Sequence, residues 1–242
     1  RVPWIHTLFE NTAATASGIE AGLKVLQRKG KLGDKKIKVV AFAGDGATAD
    51  IGLQSLSGAW ERGHDFLYVC LDNEAYMNTG VQRSSSTPYG ASTTTSPVGR
   101  TVGQITWKKN MPAIAAAHNI PYIATASPSY PFDLMEKAHK SLAVNGPSYL
   151  HVLSPCPPGW GIPADIAVKI GRLAVESGVF PLFEVVNGVY KQTVETGELR
   201  PIKPYIKAQG RFRHLNDETI NLIQERVKKE YDVLLNKFKC GA

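Results

Sequence analysis

Ile37-Lys38-Val39-Val40-Ala41-Phe42-Ala43-Gly44-Asp45-Gly46 and Phe66-Leu67-Tyr68-Val69-Cys70-Leu71-Asp72-Asn73 are the stretches whose reading decides the fold. Each is a short, mostly apolar run rich in β-branched and aromatic residues, and each ends on polar side chains, as a buried strand does when it surfaces. The segment from Thr48 to Arg62 has helix length, so the order reads strand, helix, strand. Two parallel strands joined this way put Asp45 and Asn73, 28 positions apart, side by side at the carboxyl edge of a sheet. Open α/β sheets bind their ligands at that edge.

The chemistry of that pair narrows the ligand. One carboxylate, one amide oxygen and nearby backbone carbonyls make a hard oxygen site, which suits Mg²⁺ and a phosphate held with it. Gly44 and Gly46 would let the backbone approach a pyrophosphate closely. Asp-Gly alone is also ordinary turn chemistry, so the later Asn73 gives the tripeptide its meaning. Asp72 qualifies as a ligand on residue type alone, and Asp50 and Glu61 read as surface or helix-end charges. Neither GxGxxG nor a P-loop occurs, which argues against other nucleotide-binding domains.

The flanking residues carry a resemblance. Gly44-Asp45-Gly46-Ala47-Thr48-Ala49-Asp50-Ile51-Gly52 and Asp72-Asn73-Glu74-Ala75-Tyr76-Met77-Asn78-Thr79-Gly80 look like the beta subunits of the 2-oxoacid:ferredoxin oxidoreductase family, as does Arg83-Ser84-Ser85-Ser86-Thr87-Pro88-Tyr89. Within that family the closest resemblance is to its pyruvate-oxidising members, over most of residues 1 to about 190. The resemblance implies a thiamine diphosphate-binding α/β fold. It gives Asp45, Asn73 and the Ala75 carbonyl to Mg²⁺, and Gly44, Gly46, Asn78 and Thr79 to the cofactor. Asn78 is the residue it would place in contact with substrate; the residue-type alternative is a turn residue before Gly80. Many thiamine enzymes have a second Asn where this chain has Glu74.

The same resemblance implies oxidative decarboxylation of pyruvate with coenzyme A, electrons passing to ferredoxin, and companion alpha, gamma and delta subunits. The glutamate that activates the cofactor would come from the alpha subunit, so this chain alone is expected to be inactive. Cysteines tell two stories. Cys70, Cys156 and Cys240 are scattered, and on composition alone they support neither a disulfide framework nor an iron–sulfur cluster. By family position Cys156 matches the distant fourth ligand of a [4Fe-4S] cluster whose other ligands belong to an upstream segment. The chain opens on Arg1-Val2-Pro3 and is expected to lack that segment. Cys70 reads as core and Cys240 as a bystander, and no histidine has ligand spacing.

Composition sets broad limits. The 242 residues are 43% apolar and 20% charged, with 28 Lys and Arg against 21 Asp and Glu, a net +7. That is globular composition with a basic surface suited to an acidic partner. No nucleic-acid motif, membrane-length run or signal pattern is present, so the expectation is a cytoplasmic protein with no nucleic-acid or membrane partner.

Organisation is read as an amino-terminal thiamine diphosphate domain over 1–178 and a carboxyl-terminal extension over 179–242. Asn11 is expected to cap a helix from Thr12 to Lys29, ended by Gly30. The loop Lys31 to Lys36 reads as exposed. Residues 72 to about 110 read as a long ordered loop over the cofactor, with Tyr76, Met77, Tyr89 and Trp107 to bury. Helices follow at Met111–His118, Pro131–Val144 and Pro163–Glu176, with strands at Tyr122–Thr125 and Ser148–Leu153. This alternation gives a mostly parallel sheet flanked by helices. Pro181–Tyr190 reads as an edge hairpin. Asp217 to Lys239 reads as a helix with Ile220, Ile223, Val227, Tyr231, Leu234 and Phe238 on one face. Two alternatives stay open: another 2-oxoacid such as 2-oxoisovalerate or oxalate, and a scaffold that keeps only the fold.

Overall fold

A computed structural model describes residues 2–33, 35–99 and 101–240, apart from the side chain of Cys240; Arg1, and Asp34 in the charged loop, lie outside the described residues. Six strands form one sheet: β1 (Val39–Gly44), β2 (Phe66–Asp72), β3 (Tyr122–Ala126), β4 (Ser148–Leu153), β5 (Phe183–Val186) and β6 (Val189–Gln192). Their order across the sheet is β1-β2-β4-β3-β5-β6. The first four are mutually parallel, and β5 and β6 add antiparallel at the β3 side. The mostly parallel sheet and the terminal hairpin are thus both present.

Period-two alternation sorts the strand residues onto two faces. Ala41, Tyr68, Cys70, Ile123, Tyr149, Phe183 and Val185 share a core with Ala13 and Ala16 of α1 (Thr12–Arg28), Leu56, Ala59 and Trp60 of α2 (Leu53–Glu61), and Met111 and Ala115 of α3 (Met111–Ala117). Their neighbours Leu67, Val69, Tyr122, Ala124, Leu150 and Val152 point the other way, against Leu134 and Ala138 of α4 (Pro131–Ala143). Cys70 is fully buried, as a core cysteine should be.

A third apolar cluster lies beyond the sheet's carboxyl edge. It gathers α5 (Pro157–Trp160), α6 (Ala167–Glu176), α7 (Lys203–Lys207) and the first turns of α8 (Asp217–Cys240). Helix α8 packs on its own chain. Ile220, Ile223 and Tyr231 are buried, while Leu234 and Phe238 lie against the core containing Phe183 and Tyr190. Among the described residues no helix is long and apolar enough to cross a membrane.

Three local expectations are corrected. Asn11 makes no side-chain cap: a 3₁₀ turn at Phe9–Asn11 runs straight into α1 and holds Asn11 in helical geometry, with φ −88° and ψ −6°. The helix expected over Thr48–Arg62 is split. A wide π-helical turn at Ala47–Ile51 precedes Gly52, and only then does α2 begin. Gly52 permits this because a Cβ there would collide with the Ala47 carbonyl. The helix expected from Pro163 begins as a 3₁₀ turn, Ala164–Ile166, before α6. The short helices α5 and α7 span too few residues to carry a periodic signal in the sequence.

Candidate metal and cofactor site

Sheet register builds the site. Gly44 on β1 pairs with Leu71 on β2, so the chain leaves the two strands at Asp45 and at Asp72-Asn73, next to each other. Asp45 is only 1% exposed. Its Oδ2 accepts a short hydrogen bond from the Ser84 hydroxyl, which the long loop after β2 brings in. One end of the Asn73 amide faces two oxygens at once, 2.7 Å from the Ala75 carbonyl and 3.0 Å from Asp45 Oδ1. If the nitrogen faces inward, two N–H···O bonds close the gap. If the oxygen faces inward, three oxygens meet, and a proton on Asp45 or a cation must lie among them. Adjacent oxygens on a Mg²⁺ octahedron, at about 2.0–2.1 Å from the metal, stand about 3 Å apart, the spacing seen here.

Electrostatics point the same way. Burial, and then the nearby Asp72 carboxylate, push the Asp45 carboxyl up from 3.8 to about 8, although Ser84 and Lys108 oppose the shift. A buried carboxylate so poorly compensated calls for a cation. Asp45, Asn73 and Ala75 therefore fit Mg²⁺ by donor type, spacing and charge. The donors are one carboxylate, one amide and one carbonyl. Among the described residues no group of three or more His, Cys, Asp or Glu side chains gathers to hold a metal.

The flanking glycines differ in use. A Cβ on Gly44 would meet nothing within 4 Å, which leaves that backbone approachable. At Gly46 a Cβ would fall inside the Tyr76 ring, so Tyr76 is the group that approaches closely there. The Tyr76 hydroxyl donates to Gly46 O at 3.0 Å and reaches Asp50 Oδ2 at 3.3 Å. Asp50 is no bystander: it also accepts from the Ser85 backbone N–H at 3.1 Å and from the Ser85 hydroxyl, tying the wide turn to the long loop. The residues expected to bury that loop do so only in part: Tyr76, Met77 and Tyr89 are half-buried and Trp107 is exposed. Ser84, Ser86 and Thr87 are buried, and Tyr89 stacks on Trp107 at 4.5 Å.

Asp72 does not join the three oxygens. It is fully buried and paired with Lys108 Nζ at 2.6 Å and His151 Nε2 at 2.7 Å. Burial disfavours its charge, but Lys108 and His151 outweigh that and hold its carboxyl below the usual range. His151 Nδ1 lies 2.6 Å from the Tyr149 hydroxyl. Glu74, at φ +70°, completes a buried ionic cluster, accepting from Lys108 at 2.7 Å and Arg211 Nη2 at 2.5 Å. Ser84, Lys108, His151 and Arg211 were not singled out in the sequence. No spacing rule links them to Asp45 or Asp72, although a buried acidic pair demands cations from somewhere.

Asn78 and Thr79 sit on an exposed turn and make no hydrogen bond to Asp45, Asn73 or Ala75; the Thr79 hydroxyl is bonded to Gln82. Cys156 is half-buried at the start of α5. A Cβ on Gly159 would touch both Met77 Sδ and Cys156 Sγ, so the cysteine loop lies against the turn that carries Asn78.

Comparison with known proteins identifies the family. Residues 2–152 match the family described as thiamine pyrophosphate enzyme, C-terminal TPP binding domain. The pyruvate synthase subunit PorB of Methanocaldococcus jannaschii is 57% identical over 97% of this chain and 79% of its own length. The PorB subunit of Methanothermobacter thermautotrophicus is 56% identical over 94% of this chain and 77% of its own. The ketoisovalerate oxidoreductase subunit VorB of Pyrococcus abyssi is 52% identical over 95% of this chain and 74% of its own. Among solved structures, the 2-oxoglutarate:ferredoxin oxidoreductase of Magnetococcus marinus shares the fold. Its TM-score is 0.54 at 22% identity, over 69% of this chain and 59% of that one.

Proposed function

We infer, from a chain that belongs to the family of pyruvate synthase PorB subunits and carries its thiamine pyrophosphate-binding domain, that it anchors the cofactor in a pyruvate:ferredoxin oxidoreductase. The observation that carries the reading is the convergence of Asp45 Oδ1, the Ala75 carbonyl and one end of the Asn73 amide beside the approachable Gly44 backbone. In this reading the three oxygens hold Mg²⁺, and the metal neutralises the diphosphate.

Thiamine diphosphate, once bound, supplies the electron sink for decarboxylation of the 2-oxoacid. The chain's own residues bind and orient. Ser84 donates to Asp45 Oδ2, which leaves Oδ1 beside the Asn73 amide, where it would serve the metal. Thr87 donates to the Glu74 carbonyl at 2.7 Å and steadies the backbone between the two later ligands. Asn78, exposed on its turn, is available to the cofactor or substrate where a companion subunit closes the site. Cys156 supplies one thiolate to a [4Fe-4S] cluster whose other ligands come from outside the described residues. Coenzyme A takes the acyl group, and ferredoxin, an acidic protein, meets the basic surface.

Identity to PorB and VorB subunits is of similar size, 57% against 52%, so 2-oxoisovalerate is the second reading. The test is the complex purified without oxygen together with its companion subunits. Thiamine and iron are measured per chain, and viologen reduction is followed with pyruvate and with 2-oxoisovalerate plus coenzyme A. Faster turnover of pyruvate, lost iron in Cys156→Ser and lost cofactor in Asp45→Ala are expected. Full thiamine content in Asp45→Ala would leave only a scaffold role.

A further inference from the structure

Metal ligands Asn73 and Ala75 are separated by one residue, Glu74, and that residue is held on every side. Its backbone N–H donates to Asp72 Oδ1 at 3.0 Å, and its carbonyl accepts from Thr87. Its carboxylate, 2% exposed, lies between Lys108 and Arg211. A non-glycine residue at φ +70° is strained, and surrounding bonds must impose the conformation. The strain serves geometry, because a backbone turned this way brings the Ala75 carbonyl round to within 2.7 Å of the Asn73 amide.

Arg211 grips the same loop twice. It pairs with Glu74, and its guanidinium lies 3.9 Å from the centre of the Trp160 ring, whose Nε1–H donates to Asn73 O at 2.8 Å. Gln209 accepts from Arg211 Nε at 2.9 Å and fixes the fork. The loops meet backbone to backbone, with Gly210 N donating to Gly161 O at 3.2 Å, where Gly161 sits at φ +64°.

We propose that Arg211 and Trp160 are positioning residues that set the Asn73–Ala75 loop to the size of Mg²⁺. The proposal rests on the magnesium reading above. Mg²⁺ demands near-ideal octahedral geometry at about 2.0–2.1 Å, whereas Ca²⁺ accepts irregular oxygens at about 2.3–2.6 Å. A loosened loop should therefore lose Mg²⁺ selectively. Loss of general stability would weaken both ions alike.

The experiment titrates Mg²⁺ and, separately, Ca²⁺ against thiamine diphosphate binding in the complex purified with its companion subunits, followed by intrinsic fluorescence. Arg211→Ala should raise the Mg²⁺ concentration needed by about tenfold or more and the Ca²⁺ concentration by less than about threefold, in line with losses for groups that orient ligands. Arg211→Lys should recover only part, because lysine lacks the planar fork. Trp160→Phe removes the indole N–H while keeping a smaller aromatic ring beneath the guanidinium. It should shift the Mg²⁺ to Ca²⁺ ratio in the same direction even if Arg211→Ala does not fold. An unchanged ratio in both Trp160→Phe and any folded Arg211 variant overturns the proposal. Absence of metal-dependent cofactor binding in the unaltered protein would instead overturn the magnesium reading itself.

Discussion

Asp45→Asn should weaken cofactor anchoring and yet strengthen the metal-free fold at alkaline pH. Asparagine is nearly isosteric and can still accept from the Ser84 hydroxyl, so the change removes charge more than shape. In the metal-free protein the Asp45 carboxyl is raised from 3.8 to about 8. The folded pKa lies above the unfolded one, so the native state holds an extra proton between about pH 4 and about pH 8. This group's contribution to stability is therefore greatest below that window and falls as pH rises through it. At about 1.4 kcal/mol per unit, forcing the charge at pH 8 costs the metal-free fold roughly 5 kcal/mol. The Asn73 amide can turn its N–H toward Asp45 and return roughly 1.5–3 kcal/mol. A gain of roughly 2–4 kcal/mol for Asp45→Asn at pH 8 remains, shrinking toward zero near pH 4. Urea unfolding in chelator at the two pH values measures it, and a magnesium titration of thiamine diphosphate binding measures the loss. Equal stability effects at both pH values, or unaltered magnesium-dependent binding, would refute the reasoning.

The same titration predicts that magnesium affinity rises by up to about tenfold per pH unit approaching pH 8 and then levels off, since metal and proton compete for Asp45; calorimetry across pH 6 to 9 reads this directly. Lys108→Met should destabilise the fold by about 3–5 kcal/mol, because it removes the one ammonium shared by the buried Asp72 and Glu74 and leaves His151 and Arg211 alone to face them; the denaturant midpoint should fall, and a shift under about 1 kcal/mol would mean the pair is solvated. Gly52→Ala should cost about 1–3 kcal/mol by driving a methyl into the Ala47 carbonyl and disturbing the wide turn behind Asp45. Thermal melting compared with Gly18→Ala, where a Cβ meets nothing within 4 Å, separates that clash from ordinary glycine effects.

How much could be read before the fold was known depended on the range of the signal. The juxtaposition of Asp45 and Asn73 follows from two apolar runs of strand length and one helix between them, because the shortest way to bury both runs is side by side. The apolar face of α8 was equally legible, as a period of three and four residues survives any tertiary context. Local polar choices were less secure. Asn11 has the right chemistry for a cap, but the preceding turn already occupies helical geometry. Asp50 has the composition of a surface charge, and becomes an anchor only because the Ser85 loop folds back upon it.

By itself, then, the sequence determined a parallel α/β sheet with a carboxylate and an amide at adjacent strand ends, since hydrophobic periodicity is written within short windows. Tertiary structure alone decided which charges meet. Ser84 reaches Asp45 across 39 positions, His151 reaches Asp72 across 79, and Arg211 reaches Glu74 across 137. Opposite charges carry no periodicity and many are available. Burial is what chooses among them: once packing has excluded water around Asp72 and Glu74, only a cation held in place by the surrounding core can keep them ionised.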